Sequence, residues 1–323
     1  MYVSILLFIV GLVLLIKGGD WFVDGSTGLA RRFHIPEIIV GATVVSIGTT
    51  LPEVMVSVTG AIEGQGAMAY GNAIGSVICN TALIAALTIA IRPAPVDTAA
   101  LKKPVLFFFL SAAIYVAAAY LLGWFYQWVG FVLLGVFVIY MFLAIRQGLR
   151  APAVPQEDHS EEESKPSPLW KELLLLVLGA AFIAVGARLL VDHGTIIATE
   201  LGVPQTVIAL TFVALGTSLP ELVTAITALR KGHGALSLGN VIGANIFNLV
   251  LVSGMSIAIA PFEVPLGKTI AGMNASLVLD IPLMLVVMTL LTIPALLWKK
   301  LSRWQGISLL TIYAAFCVLQ FIL

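Results

Sequence analysis

Apolar residues fill this chain in stretches of roughly twenty, separated by short clusters of glycine, proline and charge, and about 20 apolar residues are what one α-helix needs to cross a bilayer. Dividing the chain at those breaks predicts about ten membrane helices, over residues 3–29, 36–62, 67–91, 104–122, 125–147, 169–199, 204–230, 235–260, 274–297 and 304–322. The expected fold class is all-α integral membrane. Met1–Ile16 lacks a basic leading region and a small-residue cleavage site and runs on into Trp21 and Phe22, so it reads as a retained first helix.

Two of these spans carry a carboxylate inside the apolar pattern. The segment Gly48-Thr49-Thr50-Leu51-Pro52-Glu53 returns as Gly216-Thr217-Ser218-Leu219-Pro220-Glu221. A carboxylate at membrane depth costs about 2.5–3.5 kcal/mol on insertion scales, so two in matched contexts imply a use for them. A shift of 168 residues aligns Thr43–Ile84 with Thr211–Val252 without a gap, and about two in five positions are identical. The match includes Gly71-Asn72 with Gly239-Asn240, Gly75 with Gly243 and Asn80 with Asn248, and extends upstream through Val23-Asp24 with Val191-Asp192 and Pro36 with Pro204. The chain is an internal duplication. With about five spans in each half, an odd number, the second half crosses the membrane in the opposite sense. Such inverted five-helix repeats are an architecture in which secondary transporters bind ions at the midplane, where broken helices meet.

Composition agrees with a membrane protein: 60% of residues are hydrophobic and 11% charged, against roughly 25% charged in soluble domains. The formal net charge of zero argues against a nucleic-acid partner, and no obligate protein partner is evident beside the lipid bilayer. Between the halves, Ala151–Pro168 trades aliphatics for Pro, Glu, Ser and Asp, including Glu161-Glu162-Glu163. It reads as a solvated cytoplasmic linker, giving a first half over 1–150, a linker over 151–168 and a second half over 169–323. Arg31, Arg32, Arg92, Lys102, Lys103, Arg146, Arg150, Lys165, Lys171, Arg230, Lys231, Lys299, Lys300 and Arg303 fall in alternate connections; Lys17, Arg188 and Lys268 do not. The positive-inside rule makes those connections cytoplasmic and puts both termini on the outer side of a cell inner membrane.

The conserved chemistry of the two motifs is oxygen. Proline has no N–H, so Pro52 and Pro220 deprive the carbonyls of Gly48 and Gly216 of helical partners and predict an interruption in each span. Those carbonyls, the hydroxyls of Thr49, Thr50, Thr217 and Ser218, and the carboxylates of Glu53 and Glu221 are hard ligands of the kind calcium takes six to eight at a time. In the following span of each half, Gly71, Gly75, Asn72, Ser76 and Asn80, and likewise Gly239, Gly243, Asn240, Ala244 and Asn248, lie at helical spacing. The glycines there read as small-residue packing positions, and Asn80 and Asn248 as neighbours of the carboxylates. One isolated membrane glutamate would also suit a structural hydrogen bond; duplication, proline and clustered hydroxyls together favour a cation. Asp24, Asp192 and Asp280, expected near helix ends, read as caps or anchors. Phe107–Phe109 and Trp124–Trp128 read as interfacial aromatics at span ends. No HExxH pair, phosphate loop or dinucleotide fingerprint occurs, and Cys79 and Cys317 stand alone, so neither an enzyme nor a bound cofactor is expected.

The paired motifs, each followed by Gly-Asn-x-x-Gly-x-x-x-x-Asn, resemble the alpha-repeats of sodium/calcium exchangers, in the cation/calcium antiporter superfamily. The resemblance covers nearly the whole chain and implies a ten-helix exchanger in which calcium and sodium compete for central positions. It implies Glu53 and Glu221 as principal ligands, with Thr49 and Thr217 also on the metal. Thr50 and Ser218 stand around them, Asn80, Asn248 and Ser76 complete the set, and the carbonyls of Ser46 and Ala214 serve flanking sodium positions. Two departures stand out: Ala244 replaces a serine common among relatives, and Asn248 stands where some exchangers and the potassium-dependent branch carry aspartate. The expected function is calcium/sodium antiport by alternating access. Calcium/proton exchange, with protons competing at the carboxylates, and a cation channel are the alternatives.

Overall fold

In the computed structural model, residues 2–150, 168–202, 216–266 and 269–322 are described. Most of the expected linker, residues 151–167, lies outside them, as do Ala214, Lys268 and the first part of the span expected over 204–230. Among the described residues ten helices follow the predicted order: α1 Tyr2–Arg32, α2 Glu37–Ile62, α3 Gly66–Ile91, α4 Thr98–Leu122, α5 Gln127–Leu149, α6 Leu169–Glu200, α7 Leu219–Arg230, α8 Gly234–Ile259, α9 Ser276–Trp298 and α10 Arg303–Ile322. The small amount of strand includes an antiparallel pair, Trp124–Phe125 with Phe262–Glu263. Eight of the ten helices are long and apolar enough to cross a membrane.

The duplication is visible in how helices end. Gly64 (φ +75°) closes α2, with Gln65 N–H donating to the Gly60 carbonyl at 2.7 Å; Gly232 (φ +87°) closes α7, with His233 N–H donating to the Ala228 carbonyl at 2.8 Å. These are the same left-handed glycine stop at equivalent positions of the two repeats.

The chain forms two compact units, Met1–Thr49 with Leu143–Asn240, and Thr50–Phe142 with Val241–Leu323. In the first unit, α1 and α6 pack along most of their length through glycines at heptad spacing. A Cβ at Gly11 would lie 3.1 Å from the Leu190 nitrogen, at Gly18 2.7 Å from the Ile183 nitrogen, and at Gly25 2.7 Å from the Leu176 nitrogen. Rising numbers on α1 meet falling numbers on α6, so the first helices of the two halves run antiparallel. Leu15, Phe22, Val23, Ile183, Ala187 and Leu190 complete this core. In the second unit α3 packs against α9 and the later part of α8, and α10 packs against the end of α3.

Several expectations need correction. α2 does not break at Pro52; it runs on to Ile62. Neighbours hold both sides of the proline and offset the missing bond: Ser46 and Thr49 bond Asn240 on one side, and Asn72 donates to the Glu53 carbonyl at 3.1 Å on the other. The irregularity lies upstream, as a π-helical turn over Gly41–Val45. Pro220 instead sits in the first turn of α7, where its missing N–H costs nothing. α4 begins at Thr98 rather than at residue 104, because Asp97 caps it by accepting from the N–H groups of Ala99 (2.9 Å) and Ala100 (3.3 Å). Phe107–Phe109 are therefore inside the helix and not at its end; Phe108 is fully buried and Phe107 makes a tilted ring contact with Tyr140. Among the described residues a Cβ on Gly71 or Gly75 would meet nothing within 4 Å, whereas one on Gly239 would lie 2.2 Å from the Ile38 carbonyl.

Candidate ion-binding site

The first unit holds Ser46, Thr49, Thr217, Ser218 and Glu221. The close crossing of Gly41 and Gly239 lets the start of α2 run against the start of α8, which brings Ser46 and Thr49 to Asn240. Ser46 Oγ donates to the Gly41 carbonyl at 2.8 Å, closing the π-turn, and reaches the Asn240 carbonyl at 3.0 Å; Thr49 Oγ1 lies 3.3 Å from Asn240 Oδ1. Ser218 precedes α7 as its N-cap residue without capping it, and its buried hydroxyl has no hydrogen-bond partner among the described residues. Thr224, one turn on from the fully buried Glu221, is in the same condition. The start of α7 thus presents a carboxylate and two uncommitted hydroxyls in the helix's first two turns.

The second unit holds Thr50, Glu53, Ser76, Asn80 and Asn248. Glu53 is fully buried in mid-helix, and Ser57, a turn further on, accepts from Asn72 at 2.7 Å. Asn80 and Asn248 each open a π-helical turn, over Asn80–Ala85 and Asn248–Val252. A π-turn inserted in an α-helix recurs at functional sites because it offsets the ladder and re-aims a side chain. Both asparagines are fully buried, and neither the oxygen nor the nitrogen of either amide has a hydrogen-bond partner among the described residues. Leaving such groups unsatisfied costs about 1–3 kcal/mol each, so two at repeat-equivalent positions point to a ligand that satisfies them. Ser253 secures the second turn by donating to the Asn248 carbonyl at 3.0 Å.

The acidic residues read as anchors sit differently from one another. Asp24 and Asp192 lie two turns inside α1 and α6 rather than at their ends. Asp24 pairs with Lys231 at 2.7 Å, and Asp192 makes an exposed pair with Arg188 at 3.6 Å. Asp280, at the close of the opening π-turn of α9, accepts from Gln320 at 3.4 Å. Sequence reasoning passed over Ser57, Thr224 and the bonding roles of Asn72 and Asn240; the signal available for the first two was a hydroxyl one turn beyond each glutamate.

The sodium/calcium exchanger protein family model matches residues 3–146 and 171–322. The chain belongs to the sodium/calcium exchanger family. The sodium/calcium exchanger MaX1 of Methanosarcina acetivorans is 32% identical over 99% of both chains, and an uncharacterised membrane protein of Methanocaldococcus jannaschii is 36% identical over 95% of this chain and 94% of its own. The solved structure of the sodium-calcium exchanger NCX_Mj superposes with a TM-score of 0.80 at 32% identity, covering 97% of each chain. This family member is accordingly an all-α integral membrane protein of about ten transmembrane helices in two inverted five-helix repeats. Membership places it among multi-pass cation/calcium exchange transporters.

Proposed function

We propose that the protein is a secondary active antiporter that exchanges calcium for sodium by alternating access. Glu53 and Glu221 act as the principal cation ligands, with Thr49, Thr50, Thr217 and Ser218 around them. Ser76, Asn80 and Asn248 complete the set, and the carbonyls of Ser46 and Ala214 serve sodium. The observation that carries this reading is the pair of buried, unpartnered amides at Asn80 and Asn248, each opening a π-turn at the same position of its repeat. An amide oxygen, a hydroxyl and a carboxylate are all hard donors, a set that sodium and calcium can both use. Two carboxylates are balanced by one divalent ion or by monovalent ions, which favours exchange over co-transport. The close, glycine-lined packing of α1 against α6 along most of their length supports a movement of those two helices as one body. The halves over 1–150 and 169–323 would then be the inverted repeats, joined by a cytoplasmic linker over 151–168.

The test is calcium-45 uptake into proteoliposomes loaded with sodium, potassium or protons and diluted into sodium-free medium. Uptake that requires internal sodium is the expected outcome. Uptake driven only by a proton gradient would assign calcium/proton exchange, and flux independent of any counter-ion would assign a channel. Glu53→Ala and Glu221→Ala should each abolish uptake while leaving the protein inserted and monodisperse. Full activity in both would remove these carboxylates from the site.

A further inference from the structure

Beside the two asparagines lies a buried polar triangle that no ligand role accounts for. Asn245 Nδ2 donates to Thr81 Oγ1 at 2.7 Å and reaches Met288 Sδ at 3.1 Å; the Thr81 hydroxyl in turn reaches the same sulfur at 3.2 Å. Asn245, Thr81 and Met288 are fully buried. The donors and acceptors fit in one sense only: the amide supplies its N–H groups, the hydroxyl accepts one and gives its proton to the thioether, and the thioether accepts twice. Leucine at 245 or valine at 81 would suit an apolar core better than this arrangement, so the polar groups are retained against a cost.

What the triangle joins is informative. Thr81 directly follows Asn80 in the π-turn of α3. Asn245 lies three residues before Asn248 on α8, a spacing that puts both on one helical face. A bond between Thr81 and Asn245 therefore fixes the start of one π-turn to the start of the other. Met288, on α9, backs both groups.

We infer that Asn245 and Thr81 are positioning residues, forming a strut that sets the spacing of the Asn80 and Asn248 amides and thereby the affinity for calcium. This rests on the proposed role of those two asparagines as cation ligands. The strut acts through those amides: its effect is to hold two amide oxygens at a distance that suits one cation better than another.

The experiment compares wild type with Thr81→Val, Asn245→Ala, the double variant and the conservative Thr81→Ser. Sodium-loaded proteoliposomes give calcium KM and Vmax, and thermal unfolding in detergent reports folding separately. Thr81→Val, which keeps the side-chain volume, should raise the calcium KM by about tenfold with Vmax at saturating calcium largely kept, and Asn245→Ala should do the same. Because both remove the shared Asn245–Thr81 bond, the double variant should raise KM by clearly less than the product of the two single effects, as coupled residues behave. Thr81→Ser should restore the wild-type KM. Folded Thr81→Val with wild-type KM overturns the inference, as do multiplying effects in the double variant. A loss of Vmax and thermal stability together, with KM unchanged, assigns the triangle to folding alone and overturns it too. Should wild type itself show no sodium-dependent uptake, or Glu53→Ala retain it, the functional reading fails instead, and the two failures are separate.

Discussion

Asn248 has a twin in sequence and in backbone, Asn80, and both are neutral where a carboxylate would bind a divalent ion more strongly. The amide keeps formal charge at this depth down, which limits the desolvation that a further buried carboxylate would add. Asn248→Asp should therefore trade economy of burial for attraction. At pH 8 the calcium KM should fall by about tenfold, an electrostatic gain of about 1.4 kcal/mol. Acidification should then weaken uptake more steeply than in wild type, because protons have one more carboxylate to occupy. The measurement is calcium KM in sodium-loaded proteoliposomes at several pH values. An unchanged KM at every pH would remove Asn248 from the ligands of calcium.

Helix packing sorts the glycines by what surrounds each one. On α1, Gly18 lies against the α6 backbone, and a Cβ there would sit 2.7 Å from the Ile183 nitrogen and 2.9 Å from the Gly179 carbonyl. Backbone cannot rotate away as a side chain can, so Gly18→Val should separate α1 from α6 at a cost of about 1–3 kcal/mol or more. At Gly71 on α3 no described residue lies within 4 Å of where a Cβ would go; Gly71→Ala should leave stability unchanged or raise it by up to about 1 kcal/mol through helix propensity. Unfolding midpoints in detergent test both, and equal midpoints would mean that the α1–α6 contact is not tight. Among the described residues the sequence pattern located the spans within a few residues, the start of α4 excepted, because length and apolarity alone define a membrane helix. It located Glu53 and Glu221 because a carboxylate stands out against leucine and valine. It did not reveal the passage of α2 through Pro52, which depends on hydrogen bonds to Asn240 and Asn72 made far along the chain. The π-turns escaped for a related reason: their i→i+5 pattern leaves no residue signature beyond the serines, Ser46 and Ser253, that close two of them. The Asn245–Thr81 bond spans 164 positions, and no periodicity on either helix announces it.

At the scale of the whole molecule, inversion has a consequence that charge can test. Five spans per half return the chain to the opposite side before the second half begins, so ten spans place both termini on one face. The basic residues choose which face. Arg31 and Arg32 close α1, and Arg92, Lys102 and Lys103 flank the connection from α3 to α4. Arg230 closes α7 and Lys231 follows it, Lys299 and Lys300 follow α9, and Arg303 opens α10. In an alternating path these connections share a side, and the positive-inside rule predicts that it is the cytoplasmic one. The chain's own thiols, Cys79 and Cys317, can be changed to serine to give a background for single cysteines. On intact cells a membrane-impermeant maleimide should then label Tyr2→Cys but not Lys103→Cys or Lys300→Cys until the membrane is opened. The reverse pattern would invert the whole molecule, and labelling of Tyr2→Cys and Lys300→Cys together would break the alternation on which an inverted ten-span path depends.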